Sequence, residues 1–458
     1  MTSFGHKGRL EDERMLKGAG RYAADWNLPG QAYGHFLRSD RPHGAIVSID
    51  ASAALAMEGV VAVLTGEDIA KAGYQSLPAA SPMKGRDGSD VHRPHHPMLA
   101  QDRVRYVGEP VALVIAESAA LAQDAAETIL VEYDELPAVT DARQALAAGA
   151  PLVHEGVPGN LALDFAGGDE TATDAAFARA AKVVRLTSYH TRVAGNPMEP
   201  RACIGAFDAA SGNFHLYACT QGVTAIRGQT APVFGVAPET IRVIAEEVGG
   251  GFGGRFNTYP EYCAVLAAAK QLGRPVKWVG TRSEMFLADE QARDIVHLGE
   301  MALDASGRIL GMRFDFICNL GAYVAFTGAF VNTVNLVNVA SGVYDVQAVH
   351  VRARLTFTNT VPTAAYRGAG RPVSSFAIER LVDQAAHEIG MDPAEFRRIN
   401  LVRKGQFPYK IVTGFECDCG DFEGVLGKAL AEADWKGFAA RRAASAARGR
   451  LRGRGLAT

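Results

Sequence analysis

EEVGGGFGG, residues 246–254, decides how this chain is read. An apolar run at residues 241–245 precedes it and a helix-like segment follows, so the order reads strand, glycine loop, helix. Gly249, Gly251 and Gly254 meet the G-x-G-x-x-G spacing of a dinucleotide fingerprint. That fingerprint also needs a second parallel strand ending in an acidic residue about 20 residues further on. Here the next strand, residues 275–279, runs into Gly280, Thr281 and Arg282, and the chain then enters a hairpin whose arms, 296–303 and 308–316, flank a turn at 304–307. A nicotinamide site is therefore set aside. The glycines still demand a reason. Consecutive glycines leave backbone N–H groups pointing outward and let another molecule approach the main chain, so a phosphate or an oxo group is the expected guest.

The 458 residues imply two or three domains at about 100–200 residues each. A hydrophobic share of 48% and a charged share of 21% are those of a soluble globular protein. With 47 basic and 50 acidic residues, no global charge draws the chain to nucleic acid or an acidic membrane. The six cysteines are scattered and form neither a disulfide framework nor a four-cysteine zinc or iron–sulfur spacing. The polar N-terminus has no apolar core, and no apolar run reaches about 18 residues. A cytoplasmic, soluble chain without a membrane span is expected.

The pattern divides into four stretches. Residues 18–139 mix strands at 33–38, 60–64, 111–116 and 131–136 with a polar turn at 65–68 and an alanine-rich helix that Ser118 can cap. Residues 140–181, rich in Ala, Gly and Pro, read as a connector. Residues 182–402 carry period-two strands at 182–190 and 214–218, helices near 259–272 and 374–390, and the hairpin. Residues 403–458 begin a further unit. The fold class is α+β, an α/β unit followed by a larger α+β domain rich in antiparallel sheet.

A second glycine loop, AYRGAGR at 365–371, precedes the helix at 374–390. Together with the 249–254 loop, the TQG turn at 220–222 and NPMEPR at 196–201, it resembles the molybdenum-binding large subunits of the xanthine dehydrogenase and aldehyde oxidase family. More narrowly it is similar to aerobic carbon monoxide dehydrogenase-like large subunits of the AYRGAGR type. GRYAAD at 20–25 and VGEPV at 107–111 look like that family's a/b hammerhead domain. The resemblance implies hammerhead domain 18–139, connector 140–181, first molybdopterin-binding domain 182–402, and the start of a second at 403–458.

It also implies a molybdopterin cytosine dinucleotide whose dithiolene, rather than protein side chains, holds molybdenum. Gln221 matches the glutamine that hydrogen-bonds an oxygen ligand of the metal. Gly222, Gly250, Gly251, Phe252, Gly253 and Gly254 match the first cofactor wall. Arg367, Gly368, Ala369, Gly370 and Arg371 match the second, with the charge of Arg367 beside the metal. Glu199, Arg201 and Phe256 are expected at the substrate pocket, although a buried structural ion pair would use the same Glu and Arg. Where carbon monoxide dehydrogenases carry a copper-binding cysteine this chain has Gly368, so no copper is expected. Phe256 stands where xanthine-type enzymes place a substrate-binding glutamate, and Ala369 where they place a phenylalanine, which leaves aldehydes or aromatic N-heterocycles. Family members run to about twice this length and carry their catalytic base in a Gly-x-Gly-Glu segment that this sequence lacks. The implied partners are an iron–sulfur small subunit, an FAD-binding medium subunit and a chain with the remaining molybdopterin-binding domain, in a dimer of heterotrimers. The alternative is an inactive truncated or assembly fragment.

Cys417 and Cys419, an arginine-rich run at 441–450 and His92, His95 and His96 read as ordinary thiols, a helix with its following loop, and structural or exposed imidazoles.

Overall fold

Residues 8–458 are described by a computed structural model; residues 1–7, part of the polar N-terminus noted above, lie outside them. Six strands precede the expected connector: β1 (Ala32–Arg38), β2 (Gly44–Asp50), β3 (Val60–Thr65), β4 (Arg103–Val104), β5 (Pro110–Ala116) and β6 (Leu130–Glu135). Then come β7 (Leu161–Gly168), β8 (Lys182–Ala194), β9 (Ala202–Asp208), β10 (Asn213–Ala218), β11 (Ile241–Ile244) and β12 (Val276–Val279). The rest are β13 (Gln291–Leu303), β14 (Ile309–Gly321), β15 (Val349–Phe357), β16 (Tyr409–Lys410) and β17 (Glu416–Cys417).

One sheet has the order β11-β10-β9-β12-β1-β5-β3 and a second the order β7-β15-β14-β13-β8. β1 pairs in parallel with β12, Ala32 opposite Val276, so the first unit is not a separate body: its strands extend the sheet of the next. β5 is buried along its whole length, which is why its sequence is an unbroken apolar run rather than an alternation. The helix Pro260–Leu272, buried from Pro260 to Ala269, covers β9 and β12. The helix Arg371–Glu388 lays Leu381, Val382 and Ala385 on β8 and β13.

The topology explains why the glycine loop is not a dinucleotide loop. β11, which leads into it, is the edge strand and pairs only with β10; the strand after the next helix, β12, lies three places away and antiparallel to β9. A crossover unit would have set the two strands side by side.

Two expectations are corrected. The stretch 140–181 does more than connect: β7 pairs with β15 as an edge of the second sheet, and the helix Glu170–Ala178 packs on β14. Its small residues are core positions, as in Ala162 and Ala176, which are fully buried. The polar turn at 65–68 opens a helix, Gly66–Lys71, with Asp68 accepting from the Thr65 N–H at 2.8 Å. Ser118 does cap its helix, accepting from Leu121 N at 3.2 Å.

A buried ionic network ties the parts together. Arg38 on β1 reaches Glu261 and Glu284, each at 2.7 Å. Arg201 reaches Glu261 at 2.6 Å and Asp289 at 2.5 Å, and Arg255 reaches Asp289 at 3.0 Å. Among the described residues no helix is long and apolar enough to cross a membrane.

Candidate functional site

The two glycine loops and the TQG turn meet. Arg367 N donates to Phe252 O at 2.7 Å, which docks the second loop on the first. The Gln221 Oε1 accepts from Gly253 N at 2.7 Å and from Arg255 N at 3.2 Å, and Gln221 N donates to Arg255 O at 3.0 Å. Two backbone donors fix the carboxamide with its oxygen inward, so the NH2 is the group left to face outward. Close approach explains the glycines. A Cβ on Gly253, where φ is +109°, would stand 2.4 Å from Ala365 O, and one on Gly251 would stand 2.4 Å from the Gln221 side chain. Phe252 takes φ +53° and Ala369 φ +48°, left-handed values that turn successive N–H groups to the same side. The N–H groups of Gly250, Gly251, Phe252, Gly254, Gly368 and Gly370 make no hydrogen bond to a described residue. Arg367 is exposed beside them, and Gly222 begins the helix Val223–Phe234. Arg371 lies over Phe415 at 5.9 Å.

Glu199 braces the first loop, accepting from Gly249 N at 2.6 Å and Ala23 N at 3.1 Å. Arg201 has no exposed surface, so it lines no pocket: the structure gives it a buried ion pair instead, with Glu261 and Asp289 rather than with Glu199. Burial alone would raise the Glu261 carboxyl; Arg201 and Arg38 outweigh it and hold it at about 2.

Phe256 lies on a cavity of about 410 Å³ whose walls also include Phe326, Phe330, Val331, Ala365 and Ala369. Ala365 and Ala369 belong to the second loop, so the cavity opens directly beside the loop junction. Its two polar side chains are Thr327 and Asn335. Nearby, Asn257 Nδ2 donates to the Glu290 carboxyl, which burial pushes up to about 8 against that hydrogen bond and Arg201. Asn335, Thr327, Asn257 and Glu290 were not singled out in the sequence.

Residues 153–401 match the molybdopterin cofactor-binding domain, and residues 17–137 match the aldehyde oxidase and xanthine dehydrogenase a/b hammerhead domain. The chain belongs to the family of molybdenum hydroxylase large subunits. It is 36% identical over 448 residues to the carbon monoxide dehydrogenase large chain of Hydrogenophaga pseudoflava, 95% of this chain and 54% of that one. The solved quinoline 2-oxidoreductase of Pseudomonas putida 86 superposes with a TM-score of 0.90 at 35% identity, over 96% of this chain and 55% of that chain. The chain thus spans about half the length of these relatives. The nicotinate dehydrogenase large molybdopterin subunit of Eubacterium barkeri differs: the match, 29% identical over 410 residues, takes in 89% of this chain and 91% of that one.

The residues present fit the family's cofactor. Backbone N–H groups without a protein partner, an amide donor without one and an exposed guanidinium suit an anionic, oxygen-rich group, and the glycines leave the space that Cβ atoms would fill. Among the described residues no group of three or more His, Cys, Asp or Glu could hold a metal ion.

Proposed function

We propose that this chain forms one wall of the molybdopterin site of a hydroxylase that acts on an aldehyde or an aromatic N-heterocycle. The observation that carries the reading is the junction of the two glycine loops through Gln221 and Arg367 N, with several backbone donors beside it that have no protein partner. When bound, the cofactor supplies the redox centre that takes two electrons as a water-derived oxygen replaces hydrogen on the substrate carbon, with two protons released.

The chain's own residues hold and orient. The N–H groups of Gly250, Gly251, Phe252 and Gly254 receive cofactor oxygens; Gln221 donates from its NH2; Arg367 supplies fixed positive charge. Gly222, Gly253, Gly368, Gly370 and Arg371 shape the same wall, and Phe256 and Ala369 bound the space where substrate sits. No copper is proposed, because Gly368 offers no thiolate to bind it.

The cofactor is proposed in its cytosine dinucleotide form. The opposite wall and the general-base glutamate would come from further protein, as would an iron–sulfur subunit and an FAD subunit in a cytoplasmic dimer of heterotrimers. The match to the large molybdopterin subunit of Eubacterium barkeri, which takes in 91% of that chain, supports reading this span as part of a molybdopterin site. Native mass spectrometry of the complex purified through this chain, with molybdenum quantified, is the test. Molybdenum near one per chain together with partner subunits is expected; a metal-free monomer would sink the reading.

A further inference from the structure

We infer that Asn335 reads the substrate, and that the substrate is an uncharged, flat ring system with one hydrogen-bonding edge. This rests on the proposal that the loop junction faces the reacting centre, and it goes further by specifying what the adjoining cavity accepts.

The cavity of about 410 Å³ has room for a bicyclic ring. Phe256 and Phe326 flank it with ring centroids 6.5 Å apart and tilted 48°, a pair of faces and edges on which a flat ring packs. No ionised side chain borders it. A charge carried deep between these walls would lose hydration that no lining side chain replaces, so uncharged guests are favoured.

Of the two polar side chains on the wall, Thr327 is already engaged as an acceptor: its Oγ1 accepts from Ala365 N at 3.0 Å and from Asn257 Nδ2 at 3.4 Å, which leaves only its O–H to donate. Asn335 is not. It is only 6% exposed, yet its carboxamide makes no hydrogen bond to a described residue while it borders the cavity. Neither end of the amide is fully shut off from solvent, so water meets it until a guest with a ring nitrogen or a carbonyl at that edge takes that water's place. A site built to hydrogen-bond its guest also rejects the isostere that cannot reply. Asn335 lies in the short helix Val334–Val337, beside Leu336, whose N–H would be 3.3 Å from a Cβ on Gly370; the reader and the second loop are therefore held by the same packing.

The test is calorimetric binding of three bicyclic probes to the complex purified through the full chain, at pH 8, where the ring nitrogen of isoquinoline is unprotonated. Isoquinoline should bind about tenfold more tightly than naphthalene, the shape-matched ring without nitrogen, and 2-naphthoate should bind more weakly than both. Asn335→Leu, close in volume, should abolish the preference for isoquinoline while leaving naphthalene affinity within about twofold. Ala80→Trp, which fills the cavity from a partly exposed loop, should weaken both neutral probes and thereby locate the binding. Equal affinities for isoquinoline and naphthalene in the wild type would overturn the inference, whether or not Asn335→Leu folds. So would a preference that survives in folded Asn335→Leu, or one that Ala80→Trp leaves untouched. Molybdenum measured on the same samples separates the two claims. Metal-free protein that shows the preference would keep this inference and sink the hydroxylase reading; molybdenum-loaded protein without it would do the reverse.

Discussion

Gln221 uses the two ends of one carboxamide for different purposes. Its oxygen accepts from Gly253 N and Arg255 N, and its NH2, which makes no hydrogen bond to a described residue, is the end proposed to meet the cofactor. Gln221→Glu separates them, because a carboxylate still accepts both N–H groups but cannot donate. We expect Gln221→Glu to melt near the wild type and to lose at least about tenfold in turnover, whereas Gln221→Ala also costs about 1–3 kcal/mol of stability by stranding the two donors. Full turnover in Gln221→Glu would remove the donor from the mechanism. Glu290 sets a pH dependence. Burial pushes its carboxyl from the ordinary 4.5 up to about 8 in the folded protein, so its contribution is complete below about 4.5 and is lost as pH rises through 8. Across that window the wild type should lose up to about 1.4 kcal/mol per pH unit that Glu290→Gln does not, measurable as converging and then crossing melting curves between pH 5 and 9. Gln221, Phe252 and Arg367 were legible in the sequence because each sits in a local motif whose glycines announce close approach. Asn335 and Glu290 were not, because a lone polar residue in an apolar stretch becomes special only when segments near 80, 257 and 327 fold against it.

Most elements follow from their local pattern. The hairpin of β13 and β14, the helix Pro260–Leu272 and the cap at Ser118 all stand where alternation, helical periodicity and capping chemistry put them. What local pattern could not carry is pairing between distant strands. The parallel pair of β1 with β12 and the recruitment of β7 depend on contacts across the chain, and an alanine- and glycine-rich strand such as β7 lacks the β-branched signal that marks a strand. The shared sheet and the buried network imply that the first unit and the next unfold together. Calorimetry should show one transition for both; a separate early transition of the first unit would contradict the shared sheet. Glu261→Gln removes half the charge facing Arg38 and Arg201, which are buried with it, and should cost about 3–5 kcal/mol. Because Glu261 is held at about 2, its contribution is present above about 4.5 and fades as pH falls towards 2, opposite in sense to Glu290.

At the scale of the whole molecule, two sheets and the helices on them bring three short motifs from separate parts of the chain to one junction. Two glycines of the G-x-G-x-x-G spacing that suggested a nucleotide answer another need there: Gly249 and Gly251 make room for the Glu199 and Gln221 side chains, while Gly253, outside the spacing, is where the two loops' backbones touch, next to Phe252 at positive φ. The large-chain relatives extend to about twice the span this chain matches. The central claim is that this junction holds a molybdopterin. It is tested most directly by the molybdenum and pterin content of the complex purified through the wild-type chain and through Gly253→Val, whose added Cβ would drive the first loop against Ala365 O. The account predicts molybdenum and pterin near one per chain in the wild type and loss of both in the variant, with partner subunits still bound. Equal content in the two, or none in the wild-type complex, would contradict it.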